Sequence, residues 1–411
     1  MQRILLVFVI CLPSAQLLAQ TDLPTGLSPS VAVQAETRLD WMFALANQSL
    51  PKVPDGWLDG YDPTKQTYEL YVPKNLASRQ AAPLIVFVPP SPKSSVGRLW
   101  KDACEKHGVI LAGVHNVANR APMPKRIRIV MDVLDDVRRR FKIDPDRTYI
   151  SGFSGGGRVA CSIAFALPEY FGGVIPVCAG GNLRKESWLR HRVISRISIA
   201  QLTGERDFNR GECERLHQTE MDEVGVRCKT WVVPNLGHGI PNSGVLDEAL
   251  TWLEEDLPRR QKFAKDWPAS RLAEPMSREE WAAALLAEGR KRMKEPKRLH
   301  SGLMQLKGAY IRWNDLPEVK IALRILTKSQ NEGGDWEEED IAEQRLFLIA
   351  RARAVDAYAT GPLPKQYART KAKMLLAAVE LWEQVIKDGQ NKSAVAEAEK
   401  RIPILKEMIV K

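Results

Sequence analysis

Apolar positions fall into two regimes along this chain. Through residues 67–258, short unbroken apolar runs alternate with stretches of helical spacing. Beyond Pro258 the runs disappear and only helical spacing remains. Leu84, Ile85, Val86, Phe87 and Val88 form one such run, and residues 109–114 form another. Runs of that length without a polar side belong to strands buried on both faces. Residues 68–73 alternate instead and stop at Pro73, which predicts an edge strand, since proline has no N–H for a further neighbour. Residues 148–150, 173–178, 193–202 and 229–233 read as further strands, and helices are predicted over 96–107, 124–141, 158–167, 209–224 and 244–257. Strands that alternate with helices, several of them with no polar face, imply an α/β fold: a mostly parallel sheet with helices on both faces. Residues 20–66 form a lead-in. Val33, Leu39, Trp41, Met42 and Leu45 give helical spacing over 31–47, and residues 51–63, rich in Pro, Gly and Asp, read as a loop.

The last third, residues 265–411, reads as an all-α domain. Leu375, Val379, Trp382 and Ile386 recur at i, i+4, i+7 and i+11, and Val395, Ala398, Ile402 and Leu405 at i, i+3, i+7 and i+10. Further helices are expected over 278–293, 299–313, 318–329 and 337–359, with an acidic loop over 331–340 between two of them. Such pairs predict a bundle or a repeat array. The final pair weakly resembles tetratricopeptide helices, although no 34-residue signature repeats.

The chemistry-bearing stretch is residues 147–157. The strand at Thr148, Tyr149 and Ile150 runs into Gly152, Phe153, Ser154, Gly155 and Gly156, and an Ala-rich helix follows. A strand, a sharp turn with the pattern G-x-S-x-G and a helix make a nucleophile elbow, which lifts a serine hydroxyl above the sheet. Ligands of open parallel sheets sit beyond the carboxyl ends of the strands, which is where this serine falls. A serine is a poor nucleophile until a base takes its proton. The chain has six histidines, and His238 has the matching setting, in the loop between strand 229–233 and the last helix of the α/β region. His107 and His217 read as surface residues of helices, and His115 ends a strand before the serine in the chain. The base needs a carboxylate to fix its tautomer. Asp207, in the loop after the strand ending at Leu202, is the candidate, with Glu205 the alternative. Ser154, Asp207 and His238 thus follow in the order Ser, Asp, His, each in a loop after its own strand.

On these residues the chain resembles the α/β-hydrolase superfamily over about residues 67–258. The nearest branch is that of secreted esterases close to polyhydroxybutyrate depolymerases, feruloyl and acetylxylan esterases and the phospholipase/carboxylesterase group. The resemblance implies a carboxylesterase with Ser154 as nucleophile, His238 as general base and acid and Asp207 as the orienting carboxylate, and it implies no metal or organic cofactor. A serine peptidase on the same fold is the alternative, and a catalytically inactive binding module a further one. One oxyanion donor is expected at the Gly155 N–H. The second is expected from the loop after strand 84–88, where relatives often carry His-Gly. Here the loop has Pro89, Pro90 and Pro92, so Ser91 is its one backbone donor within residues 89–92. Ser91 N–H is assigned that role, with the Ser91 hydroxyl as an additional donor. Asn116 and Asn119 are expected on the same rim, and Trp100, Trp188 and Phe208 are candidates to line an acyl pocket.

The remaining composition sets the context. Arg3, the apolar run 4–12 and the small residues around Ala15 and Ala19 have the layout of a secretory signal peptide over residues 1–19, with cleavage after Ala19. The run is far short of the roughly 20 residues that span a bilayer. The product is therefore expected to be periplasmic or extracellular. Export permits disulfides, and beyond the leader Cys104, Cys161, Cys178, Cys213 and Cys228 remain, an odd number. Cys213 with Cys228 is the candidate pair, against buried unpaired thiols. No C-x-x-C pair or dense His/Cys cluster indicates a metal. From Arg260 to Lys411 there are 29 Lys and Arg against 22 Asp and Glu, so +7 of the net +10 lies in the tail, most densely over 290–298. The tail is a candidate docking element for a protein or an anionic surface, and otherwise a solvated helical face. The expected substrate is an ester, including polysaccharide- or polymer-linked ones. Nucleic acid is not an expected partner.

Overall fold

The structure is a computed structural model that describes residues 25–410 except 47, 77–80, 182, 185, 216–225, 272–273, 334 and 362–369. The expected leader lies outside the described residues, as do His217 and the second half of the helix expected over 209–224.

Among the described residues eight strands form one sheet: β1 Gly26–Ala32, β2 Thr67–Val72, β3 Ala82–Val88, β4 Ile110–Val114, β5 Ile143–Phe153, β6 Gly173–Val177, β7 Ser198–Gly204 and β8 Arg227–Val233. Their spatial order is β1-β2-β4-β3-β5-β6-β7-β8. The β1–β2 and β2–β4 pairs are antiparallel and the rest are parallel. Alternation along each strand sends side chains to two separate interiors. Leu84, Val86 and Val88 join one with Ile127, Val130 and Leu134 of α2 (Met123–Arg140) and Val159 and Ile163 of α3 (Gly155–Ala166). Ile85 and Phe87 join the other with Trp100 and Cys104 of α1 (Val96–His107) and Leu246 and Leu250 of α6 (Ser243–Glu255). The apolar runs are thus strands covered on both faces.

Three segments depart from the sequence reading. The lead-in, expected as a helix over 31–47, starts as strand β1 and continues as coil with one short turn, Met42–Ala44. Its backbone donors are satisfied by α2 rather than by helix bonds. Gln34 N–H donates to Asp136 (2.9 Å), Thr37 N–H to Asp132 (2.6 Å) and Arg38 N–H to Asp135 (2.8 Å). All three carboxylates are fully buried. Val33, Leu39 and Trp41 are buried from this extended path, so their spacing reflected burial and not a helix. Because β1 caps the sheet, β2 is an interior strand and not the edge. The strand expected over 193–202 is divided: α4 (Ser187–Arg196) buries Trp188, Leu189 and Val193, and β7 begins at Ser198. The helix expected over 209–224 is present as α5 (Arg210–Arg215) in its described part.

Beyond the sheet come α7 Leu257–Asp266, α8 Arg278–Arg292, α9 Leu299–Arg312, α10 Lys320–Glu332, α11 Asp335–Thr360, α12 Lys371–Asp388 and α13 Lys392–Val410. The acidic stretch 331–340, expected as a loop, is mostly the end of α10 and the start of α11. The apolar interior does not divide at residue 265. Trp281, Leu285, Leu306, Ala309 and Trp313 share a core with α3, α4 and the lead-in, and the core of α11–α13 is separate. In the basic run 290–298 Arg292 is buried beside Glu288, and Arg290, Lys291, Lys294, Lys297 and Arg298 are exposed. Among the described residues no helix is long and apolar enough to cross a membrane.

Candidate active site

The elbow follows from packing. A Cβ on Gly152 would lie 2.5 Å from the Gly156 carbonyl carbon, and one on Gly156 only 1.9 Å from the Val88 oxygen. Strand β5, the start of α3 and the end of β3 therefore meet through backbone alone. Between the two glycines Ser154 is held at φ 53°, ψ −123°, with its N–H on Val177 O at 2.9 Å. Ser154 is the residue preceding the first turn of α3.

The two following loops are held together by main chain. Glu205 N–H donates to Val233 O (2.9 Å) and Arg206 N–H to Leu236 O (2.9 Å), and a Cβ on Gly204 would sit 2.3 Å from Leu236 O. This close pairing fixes Asp207 against His238. His238 Nδ1 is 2.8 Å from Asp207 Oδ1, and its Nε2 is 3.0 Å from Ser154 Oγ. Because Asp207 accepts at Nδ1, the proton lies there and Nε2 presents its lone pair to the serine. Asp207 is fully enclosed as a side chain. Its Oδ1 also accepts from Asn209 N–H (3.0 Å), and its Oδ2 from the Thr203 hydroxyl (2.8 Å). Glu205, the alternative acid, is exposed and accepts from Asn235 N–H instead.

Two aromatic rings lie against the imidazole. Phe208 stacks on His238 at 4.1 Å between centroids, and Phe153 lies against it at 4.8 Å. Phe208 is 70% exposed, so it also forms part of the site's outer wall. Of the three aromatic residues expected around an acyl pocket, it alone stands at the site. Trp100 is core, edge-on to Phe87 with its Nε1–H on Pro241 O, and Trp188 is core beside Phe43. The stacking of Phe208, the Thr203 bond and the Asn209 bond carry no recognisable pattern in the sequence.

Gly155, the first residue of α3, is half-buried, and the side chain of Asn119 lies directly against it. Ser91 is exposed on the loop leaving β3. Its hydroxyl, expected as an extra oxyanion donor, donates to Lys93 O at 2.9 Å, so it is engaged within its own loop. Asn116 turns toward Gln66, its Nδ2 3.4 Å from Gln66 Oε1. Of the other histidines, His115 is tied to Ser94 and to Pro29 of β1, and His107 to Asp247 at 2.6 Å.

Cys104, Cys161, Cys178 and Cys213 are buried free thiols, the alternative to the candidate Cys213–Cys228 pair. Cys178, Asp207 and His238 bring their donor atoms within 4.8 Å of one another. The set suits a metal poorly. Burial first, and then a hydrogen bond to Asp207, push the Cys178 thiol up to about 12, and a thiol must ionise to ligate. The other two side chains are already committed to each other.

A mostly parallel sheet with a strand–serine–helix elbow, and an acid and a histidine in later loops, is the α/β-hydrolase fold. No protein-family model and no curated protein matches the chain. Solved structures do. A thermostable esterase is 22% identical at a TM-score of 0.36, over 46% of this chain and 59% of its own. The chain thus spans under two thirds of that protein's length. An S-formylglutathione hydrolase from Agrobacterium tumefaciens is 15% identical at 0.34, over 47% and 90%. A puromycin-hydrolyzing peptidase from Mycobacterium tuberculosis is 14% identical at 0.37, over 52% and 41%. With TM-scores under 0.5, none of these decides what this chain does.

Proposed function

We propose that the chain is a serine hydrolase that cleaves carboxylic esters through an acyl-enzyme. The reading is carried by one observation: His238 bridges Ser154 Oγ at 3.0 Å and Asp207 Oδ1 at 2.8 Å, with Ser154 on a strained turn. Ser154 Oγ attacks the ester carbonyl as His238 Nε2 takes its proton. Asp207 holds the imidazole tautomer and stabilises the imidazolium. In this reading the Gly155 and Ser91 N–H groups are the backbone donors to the oxyanion. His238 then gives its proton to the departing alcohol, and water that His238 activates releases the acid and regenerates Ser154.

The test is hydrolysis of short-chain nitrophenyl esters, with labelling by a fluorophosphonate, for the wild type and Ser154→Ala. Turnover and labelling in the wild type, both abolished in the variant, are expected. A folded wild type that neither turns over nor labels would leave a binding module, and turnover of peptides in preference to esters would make it a peptidase.

Export is part of the proposal and rests on the leader-like layout of residues 1–19. Expression of the full chain in a bacterial host should give a product outside the cytoplasm that begins at Gln20. Retention in the cytoplasm with Met1 intact would refute export without touching the chemistry.

A further inference from the structure

The loop that leaves β3 is short of donors where an oxyanion hole needs them, because Pro89, Pro90 and Pro92 have no N–H. A side chain stands in the gap. The positions where a Cβ on Gly155 would fall lie 2.1 Å from Asn119 Oδ1 and 2.8 Å from Asn119 Nδ2. The Asn119 amide therefore rests on the α-carbon of the residue that follows Ser154. We propose that the Asn119 side-chain amide is an oxyanion donor, adding a side-chain N–H to the single backbone N–H that the loop has within residues 89–92. The inference rests on the serine-hydrolase reading and adds a catalytic residue to it.

Three features orient the amide. Asn119 N–H donates to Pro90 O at 3.0 Å, which ties its backbone to the proline loop. Arg126 Nη2 donates to Asn119 Oδ1 at 3.3 Å, and Arg126 is itself buried, with its Nε–H on Val117 O at 3.0 Å. A guanidinium has only donors, so it selects the amide oxygen and leaves Nδ2, with two N–H groups, for another acceptor. Asn119 is exposed, so that acceptor can be a substrate atom. The same contact explains why position 155 is glycine, since any side chain there would displace the amide.

The amide N–H pays its way in the transition state, where the carbonyl oxygen becomes an oxyanion, more than in the ground state. Its loss should therefore lower kcat and leave KM in place. The experiment compares wild type, Asn119→Ala and Asn119→Asp on nitrophenyl butyrate. Melting temperature, and inhibition by a boronic acid that forms a tetrahedral serine adduct, are measured in parallel. The expected result is a kcat lower by about 100-fold in Asn119→Ala, with KM nearly unchanged. The Asp variant should lose more, because its carboxylate repels the oxyanion. Boronate affinity should fall in step with kcat, and melting should stay that of the wild type. Active wild type with kcat retained in Asn119→Ala, or a loss confined to KM, would overturn the assignment. Wild type that neither turns over nor labels with fluorophosphonate would bring down the hydrolase reading and this inference together.

Discussion

Ser154 keeps its backbone in a region that side chains rarely adopt, φ 53°, and such residues cost on the order of 1–3 kcal/mol. The strain is held by Gly152 and Gly156 on either side, whose neighbours leave no room for relaxation. Ser154→Ala retains a Cβ and with it the strain, whereas Ser154→Gly releases it. Both variants should be inactive, and the glycine variant should be more stable than the alanine variant by about 1 kcal/mol in urea unfolding. Equal stability would mean that the turn is unstrained. Phe208 is the outer contact of the same constellation. Removing its ring in Phe208→Ala leaves a surface change with little effect on melting, but unstacks His238, so a fall in turnover at constant stability is expected. Thiols offer a further check. Burial pushes Cys104, Cys161 and Cys178 up to about 12, so iodoacetamide at neutral pH should leave the proposed ester hydrolysis intact. That Ser154, Asp207 and His238 come together was legible from order and loop position alone. Their supports were not, because Thr203, Asn209 and Phe208 act through contacts that only the folded loops create.

At the scale of elements, the parallel sheet was readable because a strand covered on both faces must be apolar throughout. The ends of α1 coincide with its spacing for a similar reason: Gly108 closes the helix at φ 63°. The lead-in failed because its partners lie about a hundred residues away, on α2, where Asp132, Asp135 and Asp136 replace helix hydrogen bonds. A comparable carboxylate links β7 to α6 and α7. Asp256 accepts from Ser198 (2.7 Å), from Arg259 (2.8 Å and 2.7 Å) and, more distantly, from Arg260. Burial alone would raise its pKa. The Arg259 and Ser198 hydrogen bonds and the two guanidinium charges outweigh that and hold it below the usual carboxylate value. A depressed folded-state pKa stabilises the fold above the unfolded pKa, and the contribution fades as pH falls through the folded value. Asp256→Asn should therefore cost about 2 kcal/mol at pH 7. Urea titrations should show the gap between wild type and variant shrinking below about pH 4, the unfolded carboxylate value. A gap independent of pH would assign the loss to packing instead of charge.

The whole molecule is divided differently from its sequence. Helical spacing alone cannot tell a helix that covers a sheet protein from one that belongs to a separate bundle, and the tail contains both. Helices α8 and α9 complete the core over α3 and α4, where Trp281 and Trp313 stack at 6.1 Å and Arg312 is fully buried. Arg312 joins three parts of the chain: it binds Glu169 at 2.6 Å, beside the sheet, and Asp40 of the lead-in at 3.0 Å. Helices α11–α13 bury their apolar residues mainly against each other. Their ties to α9 include Glu339, which accepts from Leu299 N–H and His300 N–H. Two truncations separate these roles. A chain that ends at Glu332 keeps the shared core and loses only the outer cluster, so it should fold and label with fluorophosphonate at the wild-type rate. A chain that ends at Asp266 uncovers the core and leaves Glu169 and Asp40 without Arg312. An unpaired buried charge costs about 3–5 kcal/mol, and the lost apolar cover adds to it, against a total stability of about 5–15 kcal/mol for a typical protein. That chain should be insoluble or unfolded by circular dichroism and should not label. If it folded and labelled instead, α8–α10 would be an accessory to a self-sufficient α/β core, and Arg312 would stabilise the attachment of the tail and not the site.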